Sequence, residues 1–272
     1  MAVKGVYTAL SGAIAQTQNL DTIANNIANV NTPAFKRDQQ VFQEYLTANE
    51  RPPALMNVPK VPASIESFYD MQGGDKSFVD AKGTFTDFSQ GSLKRTGNTF
   101  DLAIDGPGFF EVATPQGVRL TRAGNFTLDG NGRLVTKNGH YVLRAGPPGE
   151  APESRAIQVS AASNVTIAEN GDVIDGDTVV ARISVVNVAD LDSLQKVGNS
   201  MYGFKPNANA EVVNLEFPSL KQGFLELSNV NIVQEMTEMI AATRVFDSAQ
   251  RAIQAYDGMA DKLINIVGKT AP

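Results

Sequence analysis

The stretch Gly5–Arg37, GVYTALSGAIAQTQNLDTIANNIANVNTPAFKR, decides how the chain is read. Val3, Val6, Leu10, Ala13, Thr17, Leu20, Ala24 and Ile27 recur at alternating steps of three and four. That heptad spacing keeps one face of a helix against a partner helix along its whole length. Tyr7, Ile14, Ile23 and Val30 lie off the seam, so the apolar surface is wider than one partner needs. Gln16, Asn19, Asp21 and Asn25 form the other side, polar but nearly uncharged. Thr32-Pro33 ends the helix, because a residue before proline is pushed out of the α region. The pattern alone leaves two readings open: a terminal helix seeking helical partners, or a helix laid on the core of its own domain.

A second long helix closes the chain, opening after Asn231 and reaching Val267. Asn231 is placed to cap it, with Glu235 and Glu238 near the positive end of the dipole and Gly268 as the stop signal. One face carries Ile232, Met236, Met239, Thr243, Phe246, Ile253, Ala260, Ile264 and Val267. A second carries Ala242, Val245, Ala249, Ala252, Tyr256, Met259, Leu263 and Ile266. Two seams on one helix imply burial against more than one neighbour, since a single partner would leave one seam wet. The candidate subunit-contact residues are therefore Val6, Leu10, Ala13, Leu20, Ala24 and Ile27 on the first helix. On the last they are Met236, Met239, Phe246, Ala249, Ile253, Tyr256, Met259, Leu263, Ile264 and Val267.

Between the helices the period changes. Arg37 to Leu46 is expected to continue helically. Pro52, Pro53, Pro59, Pro62 and Gly73-Gly74 then make Thr47 to Gly83 a poor candidate for regular structure. From Thr84 the period becomes two, as in Phe100, Leu102 and Ile104, with turns marked by Asp105-Gly106, Asp129-Gly130, Asn131-Gly132, Asn138-Gly139, Asn170-Gly171 and Asp175-Gly176. Such dipeptides supply the positive φ of tight hairpins. Thr178 to Val188 reads as one buried strand, and Gly146 to Pro152 as a connection between two β lobes. The expected fold is α+β: long N- and C-terminal helices forming a coiled-coil-like bundle around an antiparallel β-rich middle. The expected parts are a helical segment 1–46, an extended Pro/Gly-rich arm 47–83, a β domain 84–217 and a helical segment 218–272.

Composition removes several function classes. A net charge of -6 argues against a nucleic-acid surface, which needs clustered Lys and Arg. No run approaches the roughly 18 apolar residues of a membrane span. Val6 to Ala15 has the outline of a signal peptide, but Thr8, Ser11 and Gly12 break its short apolar core. Without Cys there is no disulfide or thiolate metal site, and His140, the only histidine, cannot build a histidine-based triad. Asp129-Gly130-Asn131-Gly132 begins like a calcium loop, yet its twelfth position is His140 where a bidentate Glu is needed. Gly106-Pro107-Gly108 lacks the third Gly of a dinucleotide fingerprint, and in Gly198 to Lys205 Phe204 interrupts the Walker spacing. The two competing classes are a subunit of a helical assembly and an enzyme or carbohydrate-binding β domain with dimerising helices. Absent Trp and few aromatics are thin support for sugar stacking.

Ala24-Asn25-Asn26-Ile27-Ala28-Asn29 and Asn31-Thr32-Pro33-Ala34-Phe35-Lys36 resemble the N-terminal motif of the bacterial flagellar axial proteins, the rod and hook family. The motif residues carried over are Asn25, Asn26, Asn29, Asn31, Thr32, Pro33 and Phe35. Ala34 stands where the family usually has Gly, which touches only the φ available there. Phe88 to Leu93, Asp101 to Ile104, Gly108-Phe109-Phe110, Leu120 to Phe126, Gly132 to Thr136, Gln222 to Glu226 and Ser228 to Asn231 are similar to further family blocks, in the same order. Met236 to Ala241 and the length look most like the proximal-rod FlgF type, with the distal-rod FlgG type second. The resemblance implies a structural subunit of the basal-body rod, the axial shaft that carries torque from motor to hook. It implies other rod proteins and copies of itself as partners, and uncleaved passage through the flagellar type III export apparatus into a rod crossing the periplasm. It implies no cofactor, nucleic acid, membrane insertion or small-molecule substrate.

Overall fold

The computed structural model describes residues 2–46, 77–146, 150–159, 165–206, 211–215 and 217–267. Two compact units divide the chain: Met1–Ile27 with Asp38–Thr86 and Ile232–Pro272, and Ala28–Arg37 with Asp87–Asn231. Secondary structure is α+β, with a helix near each terminus and antiparallel strands between them.

The first unit holds helix α1 (Ala2–Ala28), strands β1 (Asp38–Leu46) and β2 (Ser77–Thr86), and helix α2 (Ile232–Val267). The helices run antiparallel, with contacts near both ends. A Cβ on Gly5 would stand 2.6 Å from the Tyr256 ring, and Asn26 Nδ2 donates to Glu235 Oε2 at 3.1 Å. Covered residues on α1 include Gly5, Ala9, Gly12, Gln16, Asn19, Ile23 and Asn26; on α2 they include Glu235, Met239, Ala242, Phe246, Ala249, Ile253 and Tyr256. Both stripes step by four and three, as a heptad face does. The covered stripe of α1 thus passes through Gln16 and Asn19, which the pattern places on the polar outer side. The small Gly5 and the hydrogen-bonding Asn26 set which side meets α2, and the bulkier Leu10 and Ile14 stay out. On α2 the stripe takes alternate members of the two sequence faces and merges them into one.

Asp38–Leu46 is a strand, not a continuation of the first helix. It pairs antiparallel with β2, with a bulge between Val41 and Phe42 opposite Gly83. Thr86 Oγ1 donates to Asp38 Oδ1, and Asp38 N–H donates to Asn26 Oδ1, so backbone pairing and these side chains outweigh the weak helical pattern. Ser77 to Gly83, expected to be irregular, is the partner strand. Residues 47–76 of the expected arm lie outside the described residues.

The second unit holds β3 (Leu93–Arg95), β4 (Leu102–Ile104), β5 (Phe109–Thr114), β6 (Gly117–Thr121), β7 (Phe126–Leu128), β8 (Leu134–Thr136), β9 (Tyr141–Val142), β10 (Val165–Ile167), β11 (Asp172–Asp175) and β12 (Thr178–Arg182). It continues with β13 (Val185–Val188), β14 (Leu194–Gly198), β15 (Met201–Phe204), β16 (Val212–Asn214), β17 (Leu220–Gln222) and β18 (Phe224–Glu226). The main sheet runs β14-β15-β6-β5-β9-β8-β7, and β13 joins it by pairing with β5 and β16. Separate small sheets are β10-β11-β12, β17-β4 and β18-β3. One core gathers Leu102, Phe110, Val112, Leu134, Val142, Ile157, Val173, Ile183 and Leu220. It draws on both sides of residues 146–152, so the expected two lobes share one interior. Thr178 to Val188 is likewise two elements: β12 is largely exposed, and β13 buries Val185, Val186 and Val188.

Candidate functional site

Two places gather the residues singled out by the sequence. The first is the outer surface of α1 and α2. Ala13 is buried, Val6, Leu20, Ile27, Met239, Phe246, Ala249, Ile253 and Tyr256 are half-buried, and Leu10, Ala24, Met236 and Met259 are exposed. The side chains of Leu263, Ile264 and Val267 lie outside the described residues. The contrast across each helix is sharp. Ile23 and Ala242 are 3 % and 5 % exposed, whereas Ile14, Val233 and Ile240 are 53 %, 70 % and 57 % exposed. Tyr7, Leu10 and Ile14 make one uncovered apolar row, and Val233, Met236 and Ile240 make another. Leaving an apolar side chain in water forgoes about 1.5–3 kcal/mol of burial, and contiguous apolar patches of this kind mark interaction surfaces.

The second place is in the β unit, where three separated sequence blocks meet on the Glu226 side chain. Its side chain is fully buried; Lys36 Nζ reaches Oε1 at 2.5 Å and Arg122 Nε reaches Oε2 at 3.0 Å. Gly91 N–H also donates to Oε1 at 3.0 Å. Arg122 Nη1 donates to the Gly106 and Gly108 carbonyls, and Lys36 Nζ to the Ser89 carbonyl at 2.7 Å. Burial pushes the Lys36 ammonium below its ordinary 10.5, and the Glu226 carboxylate only partly offsets this. A fully buried carboxylate holding two cations and a backbone N–H is satisfied at each oxygen, which a low-dielectric site demands.

Asn229 completes the site. Its Oδ1 accepts from Arg37 N–H at 2.7 Å, and its Nδ2 donates to the Asp87 and Ser89 carbonyls. Ala34 N–H donates to the Glu226 carbonyl, and Lys196 Nζ, 4.2 Å above the Phe35 ring, donates to the Lys36 carbonyl. Phe35 is buried, Thr32 and Pro33 are half-buried, and Asn25 and Asn31 are exposed. Asn29 accepts from Thr32 through both its carbonyl and its side chain, which forms the turn after α1. Ala34 is fully buried with φ 54, the left-handed region where glycine is easiest. Gly91 is required by close approach, since a Cβ there would run into the Leu227 carbonyl. Phe88, Phe109 and Tyr202 pack beside this site, Phe109 edge-on to the other two rings and Phe88 tilted on Tyr202, with centroids 5.3–5.9 Å apart.

The buried roles of Lys36, Arg122, Glu226 and Asn229 are not visible from spacing. Their only sequence signal is a charged or amide residue set among the small and apolar residues of a repeated block. Asp129 and His140, weighed above for chemistry, sit in turns. Asp129 Oδ1 accepts from Asn131 and Arg133 N–H, and its Oδ2 accepts from Arg133 Nε, so its own hairpin uses the carboxylate. His140 closes a turn with Thr136: its N–H donates to Thr136 Oγ1 and its carbonyl accepts from Thr136 N–H. Asp172 is held by Arg182 and Asn170.

Three family models match the chain: "Flagella basal body rod protein" over residues 6–36, "Flagellar hook protein FlgE/F/G D1 domain" over 103–174, and "Flagellar basal body rod FlgEFG protein C-terminal" over 221–266. The chain is 34 % identical to the flagellar basal-body rod protein FlgG of Bacillus subtilis (strain 168), over 97 % of this chain and 99 % of that protein. It is 33 % identical to the flagellar basal-body rod protein FlgF of Rhizobium meliloti (strain 1021), over 97 % and 98 %. A third relative, FlgG of Borreliella burgdorferi, is 30 % identical over 94 % and 96 %. The chain belongs to the flagellar basal-body rod protein family, as a structural rod subunit and not an enzyme.

Proposed function

We propose that the chain is a proximal-rod subunit that builds the hollow axial drive shaft through its terminal helices, in a coiled-coil-like bundle with other rod subunits and copies of itself. The observation that carries this reading is the uncovered apolar row on each helix. Ile23 and Ala242 are buried within the chain, yet Leu10, Ile14, Val233 and Ile240 remain in water. In the shaft these rows, with the exposed seam residues Ala24 and Met259, lie against helices of neighbouring subunits. The chain travels unfolded and uncleaved through the type III export apparatus and joins a rod that crosses the periplasm to transmit torque from motor to hook.

Relatives named for both rod types match over the same length, so identity does not separate proximal from distal rod. The proximal assignment rests on the Met236–Ala241 block and on chain length.

Substitution tests the helix faces. Leu10→Asp and Ile240→Asp are surface changes in the single chain and should move its stability by no more than about 0.5 kcal/mol. In the shaft each would bury an unpaired charge, so isolated basal bodies should lack the variant and cells should not swim. Gln254→Asp, also exposed but outside these rows, is the control. Normal incorporation of both row variants would overturn the reading. A label on the chain, located along purified rods by electron microscopy, separates proximal from distal placement.

A further inference from the structure

Segment Pro33–Arg37 belongs to the β unit only through its seat. The chain lies in the first unit up to Ile27 and again from Asp38, and the segment contributes no strand to any sheet. Its hold is shared: Asp87, Ser89, Lys196 and Ser200 each bond to it, and four further bonds end on one distant block. Ala34 N–H donates to the Glu226 carbonyl, Asn229 N–H to the Phe35 carbonyl and Arg37 N–H to Asn229 Oδ1. Lys36 Nζ binds Glu226, a partner 190 positions later in sequence. That block is itself held by pairing of β17 with β4 and β18 with β3.

We propose that Pro33–Arg37 is a strap that closes on the β unit only after Leu220–Asn229 has paired with β3 and β4, so that its seating reports a chain complete through Asn229. Before Glu226 is in place the seat presents buried Arg122, and Lys36 would enter as a second cation without its main counter-charge. Once Glu226 arrives, its two carboxylate oxygens take one cation each, and its backbone carbonyl takes Ala34. Asn229 then joins Arg37 to Asp87 and Ser89 across the same seat. A chain that emerges N-terminus first therefore keeps the strap open through most of its length, and the last strand pairing shuts it. The device holds whatever the place of the chain in the rod.

Pulsed hydrogen exchange during refolding of the full chain tests the order. The amides of residues 34 and 37 should gain protection together with those of β18, and later than those of β5 and β6. Protection of the strap before β18 would overturn the proposal. Equilibrium exchange on the full-length Glu226→Gln variant gives the second reading. Stranding two buried cations corresponds to roughly 10²- to 10³-fold faster exchange at residues 34 and 37, which should remain faster than β5 and β6, whose exchange follows the stability of the whole unit. Unaltered strap amides would overturn the proposal, as would strap amides that exchange no faster than those of β5 and β6, because the strap would then not be separable from the sheet.

Discussion

Two substitutions in the buried ion cluster should differ greatly although each removes one charge from the same pair. Glu226→Gln leaves Lys36 and Arg122 buried beside a neutral amide. Breaking a buried pair from one side costs about 3–5 kcal/mol. With a urea m-value of about 2 kcal/mol/M, the unfolding midpoint of the β unit should fall by about 1.5–2.5 M. Lys36→Met removes the cation that is itself disfavoured by burial. Glu226 then keeps Arg122 Nε and Gly91 N–H, and the Ser89 carbonyl keeps Asn229 Nδ2. Methionine fills the volume of the lysine stem, so the cost should stay below about 1 kcal/mol, and a small gain is equally consistent with replacing a buried ion by an apolar group. The sign with pH follows from the lowered Lys36 pKa. The folded state sheds the proton before the unfolded chain does, so wild-type stability rises as pH climbs from the lowered value to about 10.5, the ordinary value. The Lys36→Met variant lacks that rise, and the wild type should gain on it in this window. Urea titrations of both variants at neutral pH, repeated at alkaline pH, measure these quantities. Equal losses for the two variants would refute the view that Glu226 is the hub and Lys36 its costly guest.

Two further outcomes can be measured alongside. Ala34→Gly relieves a left-handed alanine worth about 1–2 kcal/mol but loses a buried methyl worth about 0.8 kcal/mol and adds unfolded-state entropy of about 0.4–1 kcal/mol. The melting temperature should therefore barely move, and a large shift either way would contradict this balance. Asp105, Asp129 and Asp172 are each held below the ordinary 3.8, by Lys221, by backbone N–H groups of the Arg133 turn and by Arg182 respectively. Their contribution is present above that pH and lost as pH falls through the lowered values, so Asp172→Asn should narrow the gap between melting temperatures at pH 6 and pH 2.

The heptad spacing in Gly5–Arg37 and the period-two strands with Asx-Gly turns determine α+β order, because both signals are local. The start of α2 after Asn231 is local in the same way, whereas α1 stops at Ala28, a turn earlier than Thr32-Pro33, where Asn29 and Thr32 close a turn of their own. Which face of α1 meets α2 was not legible. Gly5 admits the Tyr256 ring and Asn26 finds Glu235, and both choices depend on a partner more than two hundred residues away. Strand β1 has the sequence of a weak helix because its pairing with β2 lies across the intervening arm, and hydrogen bonds to a distant strand leave no periodicity of their own. The family blocks could be seen in the sequence as separate words, but not why they recur together. Only the tertiary structure brings Lys36, Gly91, Arg122, Glu226 and Asn229 to one buried point. A charge can be taken out of water only where its partners converge, and that convergence is a property of the folded chain.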